Sequence, residues 1–327
     1  MRPLDLNGLR TYDLQSRPSK VFATEFGRPV DPSTPIGDWL DSLPKQLAAI
    51  ELRKLRDHIV RAHRDGNTVA VALGGHVIKT GCAPYLIDLI QRGVITAVAM
   101  NGSAAIHDFE LALAGKTSED VAAQLHAGNF GMARETADAF AVASRRGAEE
   151  DRGLGAALGQ YIDELGCPHA DDSLVAACHR EGIPCTVHVA LGTDIVHMHP
   201  QVSGAALGEA SMIDFRILCA VVSRLAGGVW LNLGSAVVMP EVFLKAVSVA
   251  RNFGHDLDGL VTANLDKESK YRTGMNVLRR PGSVGIEVIG HHELLIPLLH
   301  VAVSRELSVV SCQLSAKPVP SQPGDAA

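Results

Sequence analysis

The chain has 327 residues, 46% of them hydrophobic, so it can bury the core of one large domain or two moderate ones. Thirty Lys and Arg stand against 36 Asp and Glu, a net charge of -6 with no basic block, and only 4% of residues are aromatic; this argues against docking on nucleic acid by charge or by stacking. The N-terminus is polar and no apolar run reaches the roughly 18 residues of a membrane span, so the expectation is a cytoplasmic protein whose partner is a small molecule, with no nucleic acid and no membrane.

Residues 1–36 hold Pro3, Pro18, Pro29, Pro32 and Pro35 among charged side chains and read as an irregular arm. From Ile36 to His63 the apolar residues Leu40, Leu43, Leu47, Ile50, Leu52, Leu55 and Ile59 recur at helical spacing. A cadence of short β-rich run, small or polar turn and helix follows: TVAVAL with PYLIDLIQRG, then ITAVAM with AAIHDFELALAG. Residues 115–170 are helical and charged, without an evident strand. The cadence resumes with PCTVHVAL, a long loop to Ala210, helix MIDFRILCAVVSRLA, strand GGVWLNLG, helix PEVFLKAVSVARNFG and strand LDGLVTANL. After a polar stretch from Asp266 to Gly285, IEVIG and ELLIPLLHVAVSREL supply a last strand and helix, and residues 313–327 have the composition of a disordered tail. The alternation predicts one α/β domain over residues 37–312, a doubly wound, mostly parallel, Rossmann-like sheet. Cys82, Cys167, Cys178, Cys185, Cys219 and Cys312 lie far apart with no C-x-x-C pair and read as reduced thiols.

Such sheets bind ligands beyond the carboxyl ends of their strands. The first strand ends on Gly74-Gly75-His76, with Thr80 a turn further, and the second on Asn101-Gly102-Ser103, with His107 and Asp108 one turn on. Later ends fall at Gly234-Ser235, at Asn264, and at Gly290 before His292 and Glu293. Paired small residues let backbone approach a phosphate or ribose, and the helix that follows offers free N–H groups. The G-x-G-x-x-G fingerprint itself is absent. His107 and Asp108 are candidates for moving protons or for holding ribose hydroxyls. In HVALGTDIVHMHP, His188, Asp194, His197 and His199 lie within twelve positions; polar contact with substrate is the expectation for His197 and His199, and no metal is assigned. Glu209 and Asp214 sit at the expected start of a helix, Asp214 as a holder of a cationic group or sugar hydroxyl.

From about residue 66 to 305 the order of these motifs resembles deoxyhypusine synthase. LGGHVIKTG is similar to that family's phosphate-binding turn, and MNGSAAIHDFE to its small-Ala-Gly-Gly turn followed by acidic residues. EASMID matches the spacing and end charges of its Asp-Gly-Ser-Leu-Gly-Asp segment, which places Glu209 on the cofactor side and Asp214 on the substrate side. GSAVV, TANL and HHEL resemble its later strand ends. The resemblance implies an NAD cofactor and a homotetramer with sites between subunits.

The chain departs from the family where the family handles its amine substrate. Met239-Pro240-Glu241 stands in place of Lys-His-His, and NVLRRPGS brings Arg279 and Arg280, with no lysine, where the family has its nucleophile. The loop from Gly192 to Gly208 looks like an insertion. The expectation is an NAD-dependent enzyme that acts on a small polar substrate by hydride transfer, with transient oxidation coupled to elimination or group transfer as one form of it, and with Arg279 or Arg280 meeting any anionic group. The alternatives are aminoalkyl transfer of the deoxyhypusine or homospermidine type, with Lys245, Lys267 or Lys270 as the amine, a nucleotide sensor without catalysis, and a metal-dependent hydrolase built on the histidine loop.

Overall fold

The computed structural model describes residues 1–315, so the expected tail lies outside the described residues from position 316 onward. Residues 1–35 form only two 3-10 turns, Leu14–Ser16 and Ala23–Glu25. Helices α1 (Ile36–Ser42) and α2 (Leu47–Arg64) follow, and α2 turns Leu52, Leu55, Ile59 and Val60 onto the core. The body then runs β1 (Val69–Leu73), α3 (Gly75–Lys79), α4 (Ala83–Gln91), β2 (Ala97–Asn101) and α5 (Gly102–Ala114). The long crossover from β2 to β3 continues through α6 (Val121–His126), α7 (Arg134–Glu149), α8 (Leu154–Leu165) and α9 (Leu174–Arg180) before β3 (Cys185–His188). The second half is α10 (Gly204–Val222), β4 (Val229–Leu233), α11 (Val238–Asn252), β5 (Val261–Asp266), a π-helical turn at Thr273–Arg279, β6 (Val284–Ile289) and α12 (His292–Ser315).

The six strands form one sheet in the order β3-β2-β1-β4-β5-β6, every neighbouring pair parallel. The expected doubly wound α/β sheet is therefore the observed one. Strands β1, β4 and β5 are buried along their whole length, as parallel strands covered by helices on both faces must be. One face carries Val69, Val71, Leu73, Val98, Met100, Leu231 and Leu233 against α2, α4, α5 and α12. The other carries Ala70, Ala72, Ala97 and Ala99, whose small side chains leave room for Trp230 to stack on Phe243 of α11 at 4.2 Å between ring centroids.

Two expected boundaries move. Helix α10 begins at Gly204, capped by the Ser203 side chain on the Ala206 N–H, so the loop after β3 is shorter than its sequence reads. Strand β5 runs on to Asp266, which places Asn264 inside the sheet. Among the described residues, no helix is long and apolar enough to cross a membrane.

Candidate active site

The strand order reverses between β1 and β4, and there the two tips close tightly on each other. A Cβ on Gly74 would lie 2.7 Å from the Gly234 carbonyl oxygen, and Gly234 has φ +61° with the His292 ring 2.6 Å from where its own Cβ would be. Glycine is needed at both positions for packing within the chain itself. The Gly74 N–H donates to the Leu233 carbonyl and the Gly234 N–H to the Leu265 carbonyl, each at 3.1 Å, so the ladder runs past the last strand residues. The Leu265 carbonyl also pairs with His292 Nε2 at 3.1 Å, and the His76 ring meets His292 edge-on at 5.6 Å. Ser235 accepts the Met239 N–H at the head of α11.

At the β2 tip, Asn101 caps α5 by accepting the Ala104 N–H at 2.9 Å. The Gly102 N–H continues the β2–β3 ladder toward the His188 carbonyl, in step with the Val98 N–H on Pro184, which leaves the Ser103 N–H as the donor at this helix start for an anion. Gly75, from the β1 tip, packs against this turn: a Cβ there would lie 2.5 Å from Ser103 Oγ and 3.0 Å from the His107 ring.

Beside α5 opens a cleft of about 530 Å³, bounded by the segment 116–133 and the loop 193–195, with Lys79, Ser103, His107, Glu110, Thr117 and Asp194 on its wall. His107 and Glu110 stand one turn apart on α5 and so share a face. Gly115, φ +65°, ends the helix in the left-handed region and turns the chain back, delivering Thr117 between them. His107 Nδ1 lies 2.7 Å from Thr117 Oγ1, and Thr117 donates to Glu110 Oε2 at 2.5 Å. Thr136, from α7, donates to the other Glu110 oxygen at 3.1 Å. Burial, and then the charge of Lys79, lower the His107 pKa to about 4, so the imidazole is neutral at pH 7. Across the cleft, Asp194 is 9% exposed and lies over Gly102; its Oδ2 is buried without a hydrogen bond, 4.0 Å from His197 Nε2, and burial raises its pKa to about 6.

The structure thus brings Gly74, Gly75, His76, Asn101, Gly102, Ser103, His107, Gly234, Ser235 and His292 together at one edge. Other expected site residues are placed elsewhere. Asp108 points away from the cleft: its carboxylate takes the Ser173 hydroxyl at 2.5 Å and the Leu174 and Val175 N–H groups at 2.8 and 3.2 Å, holding the start of α9. Asp214 is fully buried, one oxygen accepting the N–H groups of Gly155 at 3.0 Å and Val187 at 2.8 Å. Glu209 lies within α10 instead of at its start, and is exposed and paired with Arg216. Thr80 bonds back to its own turn, and Asn264 is bonded to Asn232 inside the sheet. Glu293 is exposed beside His291.

The histidines of the loop are each tied to groups of the chain itself. His197 Nδ1 accepts the Gly192 and Asp194 N–H groups, His199 Nε2 pairs with the Gly131 carbonyl at 2.7 Å, and His188 Nε2 with Thr186 at 3.0 Å. No three His, Cys, Asp or Glu among the described residues could share a metal ion. Of the lysines, Lys245 and Lys270 are paired with Glu241 and Glu268, whereas Lys79 lines the cleft. Sequence reasoning missed Lys79, Glu110 and Thr117. The spacing of His107 and Glu110 by three residues was a readable signal; the return of Thr117 depends on the left-handed turn at Gly115.

No protein-family model matches the chain, and no curated protein does. Solved structures do. The ternary complex of AgrE with ornithine and NAD+ is matched at TM-score 0.53 and 15% identity, over 80% of this chain and 33% of that one. A structure described as a LOR/SDH protein from Methanococcus maripaludis S2 is matched at TM-score 0.50 and 15% identity, over 80% of this chain and 71% of the other. One described as a deoxyhypusine synthase from Entamoeba histolytica aligns over 86% of this chain and 96% of its own, at 11% identity and TM-score 0.45. This chain spans about a third of the length of AgrE. What the likenesses show is the fold, an open, all-parallel α/β sheet of the kind that the resemblance to deoxyhypusine synthase implies.

Proposed function

We propose that this chain is an enzyme that binds NAD at the β1–β2 flank of the carboxyl edge of its sheet and oxidises a small polar substrate held in the cleft beside α5. The observation that carries the reading is a shared wall. Ser103 and His107 line the cleft and at the same time pack on Gly75 at the β1 tip, so a coenzyme along the tips and a substrate in the cleft would meet at His107. The residues at the β1–β2 flank fit the coenzyme: Gly75, Gly102 and Ser103 keep these tips small, and the Ser103 N–H at the start of α5 suits a phosphate. The NAD+ held by AgrE, a protein of related fold, supports the same choice. A cleft of about 530 Å³ falls within the roughly 300–1,000 Å³ of small-molecule sites.

The bound coenzyme supplies a hydride acceptor. For a substrate whose C–H bond is to be oxidised, His107 Nε2 would take the proton from the adjacent oxygen or nitrogen. His107 suits that role because it is neutral at pH 7. Lys79 lies close enough to lower the His107 pKa and offers an anionic substrate group a partner. The test is calorimetric titration with NAD, followed by reduction monitored at 340 nm across ornithine, polyamines and hydroxy acids. Absence of NAD binding at millimolar concentration would overturn the reading, and steady release of diaminopropane from spermidine would replace it with aminoalkyl transfer.

A further inference from the structure

We propose that Thr117 and Glu110 are positioning residues that hold the His107 imidazole with its proton on Nδ1 and its Nε2 lone pair toward the cleft. This rests on the reading of His107 as the cleft's base. The argument is one of donors and acceptors. Glu110 receives two hydroxyls, Thr117 on one oxygen and Thr136 on the other, the pattern of an acceptor-only carboxylate. A threonine hydroxyl has one proton, and that of Thr117 is directed to Glu110. Its oxygen therefore meets His107 Nδ1, 2.7 Å away, as an acceptor, so Nδ1 must carry the hydrogen. No described residue hydrogen-bonds His107 Nε2.

The chain of groups has a chemical consequence as well as a geometric one. When Nε2 takes a proton, the new imidazolium faces Glu110 through one hydroxyl, and the carboxylate stabilises it. Without that link, burial and Lys79 both oppose protonation. The parts come from three separate elements: α5 gives His107 and Glu110, α7 gives Thr136, and the turn after α5 gives Thr117. The next residue, Ser118, has φ +67°, a left-handed conformation that side chains disfavour, so the turn is held in an unfavoured geometry at the point where it delivers the hydroxyl.

The tautomer is read by long-range nitrogen–proton NMR on the full chain labelled at histidine, with the His107 signals assigned by their loss in His107→Gln. The wild type is expected to show the Nδ1–H form at pH 7. Thr117→Val keeps the shape and removes the link, and is expected to lower the Nδ1–H fraction at least severalfold, while Thr117→Ser restores it. Should Thr117→Val not fold, Glu110→Gln gives the same reading, because an amide beside Thr117 allows the hydroxyl to turn toward His107. An Nε2–H form in the wild type would overturn the proposal, as would an unchanged tautomer in both folded variants. None of these signals needs coenzyme, so a failure of NAD to bind would count against the enzymatic reading alone.

Discussion

Replacing Asp214 by Asn should make the protein more stable, by an amount that grows with pH. Asp214 sits on α10 with no solvent exposure. One oxygen holds the first turn of α8 through Gly155 and the edge strand β3 through Val187, and the other oxygen is buried with no partner. Burial raises its pKa from 3.8 to about 8, and its backbone hydrogen bonds offset only part of that. At pH 7 the folded chain keeps a proton that the unfolded chain releases, which costs about 1.4 kcal/mol per pH unit above 3.8, or about 4 kcal/mol. The asparagine side chain would carry no charge in either state and would keep the carbonyl acceptor. Its amide would leave an N–H group unpaired in the pocket of the orphan oxygen, at about 1–3 kcal/mol. The net gain is about 1–3 kcal/mol at pH 7. Because the folded pKa is raised, this carboxyl's effect on wild-type stability is most favourable below pH 3.8 and worsens as pH rises to about 8. Urea unfolding of both proteins at pH 5, 6, 7 and 8 should therefore show a gap that widens with pH. A gap that is flat, or that favours Asp214 at pH 8, would refute the reasoning.

Gly102→Ala should cost about 1–3 kcal/mol, since its Cβ would overlap the Asp194 carboxylate; paired with Asp194→Ala it should cost much less, and strict additivity in denaturant midpoints would contradict the contact. Asn101→Ala should lose about 1 kcal/mol with the cap on α5, a change visible in thermal melts. If a phosphate of NAD lies on the Ser103 N–H, the Asp194 charge over the neighbouring Gly102 opposes binding. Asp194→Asn should then tighten NAD binding severalfold at pH 8, while the wild type gains affinity only as pH falls through about 6; calorimetry at the two pH values decides.

Much of the sheet was legible because its strands are short apolar runs that stop on glycine or a small polar residue, and a strand buried on both faces has no other way to read. The start of α10 was not. GAALGEAS opens on Gly204 and alternates small side chains that give little helical periodicity, and only the Ser203 cap betrays it. The π-helical turn at Thr273–Arg279 hides in a polar stretch for a similar reason: it buries Thr273 and Asn276 where a reader expects solvent. At the site the sequence located the right helix but not its faces. His107 and Asp108 are neighbours in the chain, yet one step along a helix turns a side chain by about 100°. One of them lines the cleft while the other caps α9.

The position of the cleft follows from how the tips pack. Gly74 and Gly234 approach so closely, with His292 over Gly234, that the middle of the carboxyl edge is filled by the chain itself. Open volume is left to one flank, beyond β2, where the crossover to β3 runs through helices α5 to α9 before the strand resumes. That crossover is the charged helical stretch after residue 115, and it returns Lys116, Thr117, Glu119 and Phe130 as the far wall of the cleft. The tips are fixed by backbone contacts and tolerate little change. The far wall comes from exposed helix and loop, and can vary without disturbing the sheet. If the cleft holds the substrate as proposed, discrimination between substrates should reside in residues 116–133, and substitutions there should shift KM between candidate substrates without changing the unfolding midpoint.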